Sequence, residues 1–206
     1  MFFRADVRVE TDVRELVQFA ERTFGRLALL VNNASANLHN ADPFDAFAGT
    51  LQTDLFGTFY AMRAALDVMQ KQAGGAIVNV SSISALWHGR RMATDAPAYD
   101  VAKSAVIRLT TSMARLALQS GVRVNCLAPG WIGTDEVRAY WEALTPEQRV
   151  ARGAPVHRLL TPDDVAGAVV RLATDDSLSG RILVWWSEDD PQLVRWGDRG
   201  YKDLAD

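Results

Sequence analysis

The sequence predicts an α/β fold built on a doubly wound, parallel sheet, and two observations carry that prediction. Short apolar runs alternate along the chain with longer amphipathic stretches, which is the order typical of parallel sheets. Asparagines, serines or glycine follow directly after three of these runs, and ligands bind outside the carboxyl ends of the strands in such sheets. With 206 residues, 49% of them apolar, the chain is long enough for one full core.

The amino-terminal part is predicted to hold a strand, a helix and a second strand. Phe2–Asp6 is the first strand, and Asp12 lies three residues before Glu15, as in the capping box that begins many helices. Gly25 follows the predicted helix, where glycine commonly ends it. Leu27–Val31 is an unbroken apolar run, which predicts a central strand covered on both faces.

The remaining elements continue the alternation of strand and helix. In chain order they are a helical region from Asp42-Pro43 to Gly74-Gly75, a strand at Ile77–Val80, a polar loop at Ser81–Pro97, a helix at about Ala98–Gln119, a strand at Val122–Leu127, helical excursions over 135–151, a helix from Thr161-Pro162 to about Thr174, and a last strand at Arg181–Trp186. Residues 1–186 are therefore predicted to form the domain, and 187–206 form a polar tail with no assigned element.

Composition excludes several classes of partner and site. A net charge of −3 argues against a general nucleic-acid or anionic-membrane surface, and no apolar run is as long as a membrane span. The single Cys126 favours a reducing cytoplasm. The three histidines have no metal-like spacing, so no metal site is predicted; they are His39, His88 and His157.

The strongest chemical signal is the pair Tyr99 and Lys103 at the start of a predicted helix. Residues four apart share a helical face, so the ammonium can approach the phenol. A neighbouring cation favours the phenolate and moves the tyrosine pKa toward the pH at which general acid–base catalysis is effective. The spacing alone is equally consistent with a pair that has no catalytic role, in which an exposed tyrosine lies beside a solvated lysine.

Four segments, in this order, resemble the short-chain dehydrogenase/reductase family. They are Leu29-Leu30-Val31-Asn32-Asn33-Ala34-Ser35, Ile77-Val78-Asn79-Val80-Ser81-Ser82, Tyr99 to Lys103, and Val122 to Gly130. The resemblance extends from about residue 1 to 186 and implies a Rossmann-type oxidoreductase that transfers a hydride between NAD(P) and an alcohol or carbonyl substrate. It also implies a homodimer or homotetramer formed through the two long helices, here about 44–72 and 98–119.

Catalytic roles follow from the resemblance. Tyr99 would be the general acid/base, Lys103 would lower its pKa and bind the nicotinamide ribose, and Ser82 would bind the substrate oxygen, with Ser81 and Ser84 as less favoured alternatives. The family has an asparagine at the position that Asp54 occupies, and a glycine at the position of Ser35. A carboxylate at 54 either orients a water, pairs with Lys103, or is an ordinary helix-face aspartate.

The resemblance also implies which residues contact the cofactor. Asp6 and Val7 would contact the adenine, while the groove and the nicotinamide turn would be formed by Asn32, Ala34, Tyr99, Lys103, Pro129, Gly130, Ile132 and Thr134. The choice between NAD and NADP stays open. Trp131, Trp141 and Met92 either line the substrate pocket or serve packing alone.

One expected motif is absent from the sequence. No glycine-rich turn of the form G-x-x-x-G-x-G or G-x-G-x-x-G occurs, and the first two strands of the family fold are also lacking. We therefore expect a fragment or an incomplete gene product of a full-length enzyme. The alternative is a truncated, catalytically inactive relative that acts as a binding or regulatory partner.

Overall fold

A five-stranded sheet forms the centre of the computed structural model, which describes residues 1–36, 46–86, 97–195 and 197. The strands lie in the order β1-β2-β3-β4-β5; the first four are parallel and β5 runs antiparallel to β4. Their bounds are β1 Leu29–Asn32, β2 Gly75–Val80, β3 Val122–Pro129, β4 Ile182–Trp185 and β5 Gln192–Leu193. The predicted α/β class with a parallel sheet is confirmed.

Helices connect the parallel strands. They are α1 Glu10–Phe24, α2 Phe47–Thr50, a π-helical segment Leu51–Gly57, α3 Thr58–Met69, a 3₁₀ turn Ile83–Leu86, α4 Pro97–Ser112, α5 Leu116–Ser120, α6 Asp135–Glu142, α7 Pro146–Ala151 and α8 Pro162–Thr174. The predicted helix at 98–119 is thus two helices, and the helical region before Gly74 changes type within its length.

The core lies on both faces of the sheet. On one face, Met62 and Met69 of α3 pack against Ile77 and Val124. On the other face, Leu172 of α8 packs with its neighbours against Val78, Leu127 and Leu183. Consecutive strand residues point to opposite faces, so a continuous apolar run such as that of β2 serves both layers.

The amino-terminal predictions are partly wrong. Phe2–Asp6 forms no strand, because among the described residues no strand lies beside it to complete its hydrogen bonds. Asp12 does not cap α1, which begins at Glu10 with no side-chain cap. The Asp12 carboxylate instead accepts a hydrogen bond from the Asp6 amide at 3.1 Å. Gly25 does end the helix, in the left-handed conformation with φ 74°.

The strand predicted at Leu27–Val31 lies at an edge of the sheet. Within the described ranges β1 pairs with β2 alone, and Leu29 and Val31 remain 38% and 39% exposed. The prediction that this strand is covered on both faces is therefore wrong for the described chain. An apolar run does not distinguish a central strand from an apolar edge strand, because periodicity reports apolar character and not the number of neighbours.

The predicted tail begins inside the fold. Gln192–Leu193 pairs with Leu183 and Val184 of β4, so position 187 does not separate the tail from the sheet. Asp42-Pro43, His39, His88 and Met92 lie outside the described residues. No helix in the described part of the chain is long and apolar enough to cross a membrane.

Candidate active site

A π-helical segment positions Asp54 at the carboxyl edge of the sheet. The helical run that starts at Phe47 widens to π-helix over Leu51–Gly57, a form found frequently at functional sites. The Thr58 hydroxyl donates to the Asp54 carbonyl at 2.8 Å. Gly57 lets this segment approach the turn at Val7 closely, since a Cβ there would lie 3.0 Å from the Cβ of Val7.

The Asp54 carboxylate is fully buried and paired with Lys103. Its Oδ2 lies 3.2 Å from Lys103 Nζ and accepts a hydrogen bond from the Ser35 hydroxyl at 2.5 Å. Its Oδ1 accepts from the Ala36 amide at 2.7 Å. Of the three interpretations that the sequence left open, the structure excludes a solvated helix-face aspartate and shows the ion pair.

Tyr99 and Lys103 lie on one face of α4, as the spacing predicted. Lys103 Nζ is 5.3 Å from the centroid of the Tyr99 ring, within the range of a cation–π contact. The same ammonium donates to the carbonyl of Val80, the last residue of β2, at 3.2 Å. Lys103 thus joins the helix, the strand end and the Asp54 carboxylate.

The pKa of Tyr99 lies above the ordinary value for tyrosine. Burial is the largest cause, and the negative charges of Asp54 and Asp100 add to it, whereas a hydrogen bond with Ser82 lowers the pKa. The expected depression by Lys103 is not what this structure shows. The ammonium lies 3.2 Å from Asp54 Oδ2, and burial of the phenol, together with the charges of Asp54 and Asp100, outweighs the hydrogen bond with Ser82.

The three serines after β2 have different environments. The Ser81 hydroxyl donates to the Lys103 carbonyl at 2.8 Å and so ties α4 to the strand. Ser82 hydrogen-bonds with Tyr99 and also accepts from the Ser84 amide at 3.1 Å. The Ser84 hydroxyl is buried without a partner among the described residues. Ser82 is therefore the serine that contacts the phenol, and its role in binding the substrate oxygen stays a prediction.

A second buried network joins Asn32 on β1, Asn79 on β2 and Thr110 on α4. The Asn32 amide donates to Asn79 Oδ1 at 2.8 Å, and Asn79 Nδ2 donates to Thr110 Oγ1 at 2.9 Å. Thr110 donates in turn to the Val106 carbonyl at 2.9 Å. The side chain of Asn32 therefore holds β1 to β2 and α4, and Ala34 after the strand is exposed.

The turn after β3 is held by the end of β4. A Cβ on Gly130 would overlap Ser187 Oγ, and the Trp131 amide donates to that same oxygen at 2.9 Å. Ile132 forms a parallel bridge with Leu160, and Pro129 is the last residue of β3. In the structure, glycine at 130 is required by the close approach of Ser187.

Thr134 and Asp6 each have a local partner in the structure. Thr134 caps α6, its hydroxyl accepting from the Val137 amide at 3.4 Å. A hydroxyl that accepts in this way can still donate. The carboxylate of Asp6 binds the Arg8 guanidinium, chiefly through side-chain hydrogen bonds, which lowers the pKa of Asp6 to about 2. Both side chains are at the surface.

A cleft of about 170 Å³ lies next to the serine turn. Its lining combines aromatic rings, backbone and two carboxylates, and the residues are Ile83, Trp131, Gly153, Ala154, Pro155, Trp186, Ser187, Glu188 and Asp189. Trp131 stacks on Tyr140 at 6.1 Å between ring centroids. Trp141, the other tryptophan considered, lies under the Arg149 guanidinium and donates to the Pro155 carbonyl, so it supports the loop that lines the cleft.

Sequence reasoning missed the roles of Ser35 and Ser187. Ser35 was visible as a departure from the family's glycine, and Asp54 as a departure from its asparagine, but their contact depends on the fold. Ser187 lies in the segment without assigned structure, where no pattern marked it. Among the described residues, no cluster of three His, Cys, Asp or Glu side chains that could hold a metal is present.

The residues present fit the nicotinamide end of a dinucleotide. Two of the three donors of Lys103 have acceptors here, the buried Ser84 hydroxyl is unused, and Tyr99 and Ser82 hydrogen-bond with each other. No glycine-rich turn that would hold a pyrophosphate occurs in this sequence. The fit therefore concerns the ring and its ribose.

Comparison with known proteins agrees with this geometry. Residues 1–184 match the family model described as Enoyl-(Acyl carrier protein) reductase. The chain is 36% identical over 183 residues to 2-(S)-hydroxypropyl-CoM dehydrogenase 3 of Xanthobacter autotrophicus, which covers 85% of this chain and 70% of that protein.

Solved structures show the same relationship. The structure of ElxO with NADP bound superposes with a TM-score of 0.76 at 32% identity, covering 89% of this chain and 75% of that one. A short-chain type dehydrogenase/reductase from Mycobacterium ulcerans gives a TM-score of 0.73 at 29% identity, covering 88% and 66%. The chain belongs to the short-chain dehydrogenase/reductase family, the NAD(P)-dependent oxidoreductases that its four sequence segments resembled.

Proposed function

We propose that this protein interconverts an alcohol and a carbonyl compound, with Tyr99 as the general acid/base. The observation that carries the proposal is the meeting of Tyr99, Lys103 and Ser82 at the carboxyl ends of the strands. A phenol, a cation and a hydroxyl that lie together supply a proton donor and acceptor and a hydrogen-bonding partner for the reacting oxygen.

The proton steps are assigned to this chain's own residues. In alcohol oxidation, Tyr99 Oη takes the proton of the substrate hydroxyl while the Ser82 hydroxyl binds the same oxygen; in carbonyl reduction, Tyr99 returns the proton. Lys103 stabilises the Tyr99 phenolate, which is the base in alcohol oxidation and forms when Tyr99 gives up its proton in carbonyl reduction, and Asp54 keeps the ammonium in place at 3.2 Å. When bound, NAD or NADP supplies the hydride acceptor or donor.

The residues that would hold the cofactor lie on both sides of the phenol. Lys103 and Tyr99 would bind the ribose, and the turn after β3 would contact the nicotinamide through Pro129, Gly130, Ile132 and Thr134. The adenine end would lie toward Asp6, Val7, Asn32 and Ala34. Asp6 would then contact the base beside its ion pair with Arg8.

The cleft beside Ser82 supports a compact, uncharged substrate with an apolar body. Trp131 and Trp186 supply aromatic surface, whereas Glu188 and Asp189 place negative charge at its wall. The Glu188 carboxylate accepts a hydrogen bond from the His157 amide at 2.5 Å. This hydrogen bond lowers the pKa of Glu188, so the carboxylate is ionised at neutral pH. An anionic substrate would therefore be repelled.

The first experiment separates chemistry from binding. NADH and NADPH are titrated by fluorescence, and turnover of a cyclic secondary alcohol is then followed for the wild type, Tyr99→Phe and Tyr60→Phe. We expect Tyr99→Phe to retain cofactor binding and to lose about 100-fold or more in kcat, while Tyr60→Phe, a matched change on α3, leaves kcat unchanged. Near-normal turnover by Tyr99→Phe would show that Tyr99 is not the acid/base.

Substrate charge is tested with a matched pair of compounds. We expect a neutral cyclic alcohol to have a higher kcat/KM than the same alcohol bearing a carboxylate. Asp189→Asn removes one negative charge from the cleft and should reduce the difference between the two kcat/KM values. Equal kcat/KM values for the two compounds in the wild type would contradict the assignment of the cleft.

Assembly and location are part of the proposal. A homodimer or homotetramer through the long helices is supported by exposed apolar side chains there, Phe56 and Phe59 at 43% and 39% and Val101 at 49% exposure. The mass in solution tests it, and a monomer at micromolar concentration would contradict it. The lone, buried Cys126 favours a reducing cytoplasm.

A further inference from the structure

Three hydrogen-bond donors converge on the buried carboxylate of Asp54. The Ser35 hydroxyl and the Lys103 ammonium both meet Oδ2, at 2.5 Å and 3.2 Å, and the Ala36 amide meets Oδ1 at 2.7 Å. An ionised carboxylate is acceptor-only and satisfies all three. The amide of an asparagine does not, because its NH₂ group would face either the Ala36 N–H or the Lys103 ammonium.

The two departures from the family pattern therefore touch each other. Ser35 stands where the family has glycine, and Asp54 where it has asparagine, and the side chains that these changes add form one hydrogen bond. Glycine at 35 has no hydroxyl to give, which would leave Oδ2 with the ammonium as its single side-chain donor. The serine and the aspartate are thus chemically matched.

We propose that Ser35 is a positioning residue that acts through Asp54 on the Lys103–Tyr99 pair, so that Ser35 and Asp54 influence the acid/base only together. The inference rests on the proposed function of Tyr99. The Ser35 hydroxyl neutralises part of the charge on Oδ2 and fixes that oxygen in front of the ammonium. The carboxylate in turn offsets the cation that would otherwise favour the Tyr99 phenolate.

The groups around Tyr99 set the direction of each effect. Ser82 hydrogen-bonds with it, Lys103 lies over its ring, and Asp54 and Asp100 act on it by charge. The Cys126 thiol, packed below Lys103, is uncharged because burial raises its pKa to about 12. Removing the Asp54 charge should make Tyr99 easier to ionise; removing the Ser35 hydroxyl leaves a less neutralised carboxylate and should make it harder.

The test is a titration of tyrosinate absorbance in the near ultraviolet, with Tyr99→Phe subtracted in each background. We expect Asp54→Asn to lower the Tyr99 midpoint by roughly one pH unit, and Ser35→Ala to raise it by about half a unit. Ser35→Ala/Asp54→Asn should behave as Asp54→Asn alone, and Ser35→Thr, which keeps the hydroxyl, should match the wild type.

The pH profile of kcat/KM for alcohol oxidation gives the second readout and should shift in the same directions. Ser35 is exposed, so Ser35→Ala is expected to fold and decides the question even if Asp54→Asn does not fold. An unchanged midpoint in Ser35→Ala overturns the inference. Retained turnover in Tyr99→Phe overturns the proposed function instead, so the two failures are distinguishable.

Discussion

Two polar networks with buried side chains lie side by side in this molecule and differ in charge. The amide network consists of Asn32, Asn79 and Thr110, and its groups both donate and accept. The carboxylate network consists of Ser35, Asp54, Lys103 and Tyr99 and holds two ionised groups out of water. Neutral groups keep their hydrogen bonds at any pH, whereas a buried ion destabilises the fold when a partner that compensates its charge is removed.

The largest expected difference between the networks appears when one partner is removed from the ion pair. Lys103→Met leaves the Asp54 carboxylate buried and without its cation, so we expect the free energy of unfolding to fall by about 3–5 kcal/mol at neutral pH. Urea denaturation followed by fluorescence measures it.

The matched control removes both charges. In Lys103→Met/Asp54→Leu no ion is left unpaired, and we expect most of the lost stability to return, since apolar residues commonly replace buried ion pairs without penalty. A double variant as unstable as the single one would show that Lys103 stabilises the fold by packing and not by its charge.

A smaller and pH-independent effect is expected in the amide network. Asn79→Leu leaves the Asn32 amide and the Thr110 hydroxyl without their partner, which should lower the free energy of unfolding by about 1–3 kcal/mol. Because no ionisable group is involved, the loss should be the same at about pH 6 and about pH 9. A loss that changed between these pH values would indicate coupling between the two networks.

The sequence predicts contacts within one helix, but it does not predict contacts between segments that only the fold brings together. The Tyr99–Lys103 pair is local, four residues apart on one helix, so its contact followed from helical geometry alone. Asp54 and Ser35 lie 19 residues apart and meet only because the π-helical segment turns the carboxylate toward the end of β1. Helical periodicity does not predict a change from α to π within a continuous helix.

The ends of the sheet illustrate the same limit. The strand predicted at Phe2–Asp6 was wrong and the strand at Gln192–Leu193 was missed, although the four apolar runs between them were placed as strands and the helices were largely placed. Strand formation at an edge depends on a neighbour, here β4 for β5, and a two-residue pairing has no sequence period. The fold class was therefore predictable from the sequence, whereas the segments that form the edge strands of the sheet were not.

Cys126 contacts members of both networks, and its reactivity gives a further test of the comparison. Its thiol contacts the Thr110 hydroxyl and the Ser81 amide and feels the Lys103 charge, all of which lower its pKa, yet burial dominates and raises the pKa to about 12. At mildly alkaline pH its thiolate fraction is then about 1,000-fold below that of an ordinary cysteine. We expect iodoacetamide to label the denatured chain rapidly and the native chain slower by at least that factor, as mass spectrometry would measure. Rapid labelling of the native protein would mean that the region around the buried Cys126 opens readily to solvent, which would contradict the burial on which the comparison of the two networks depends.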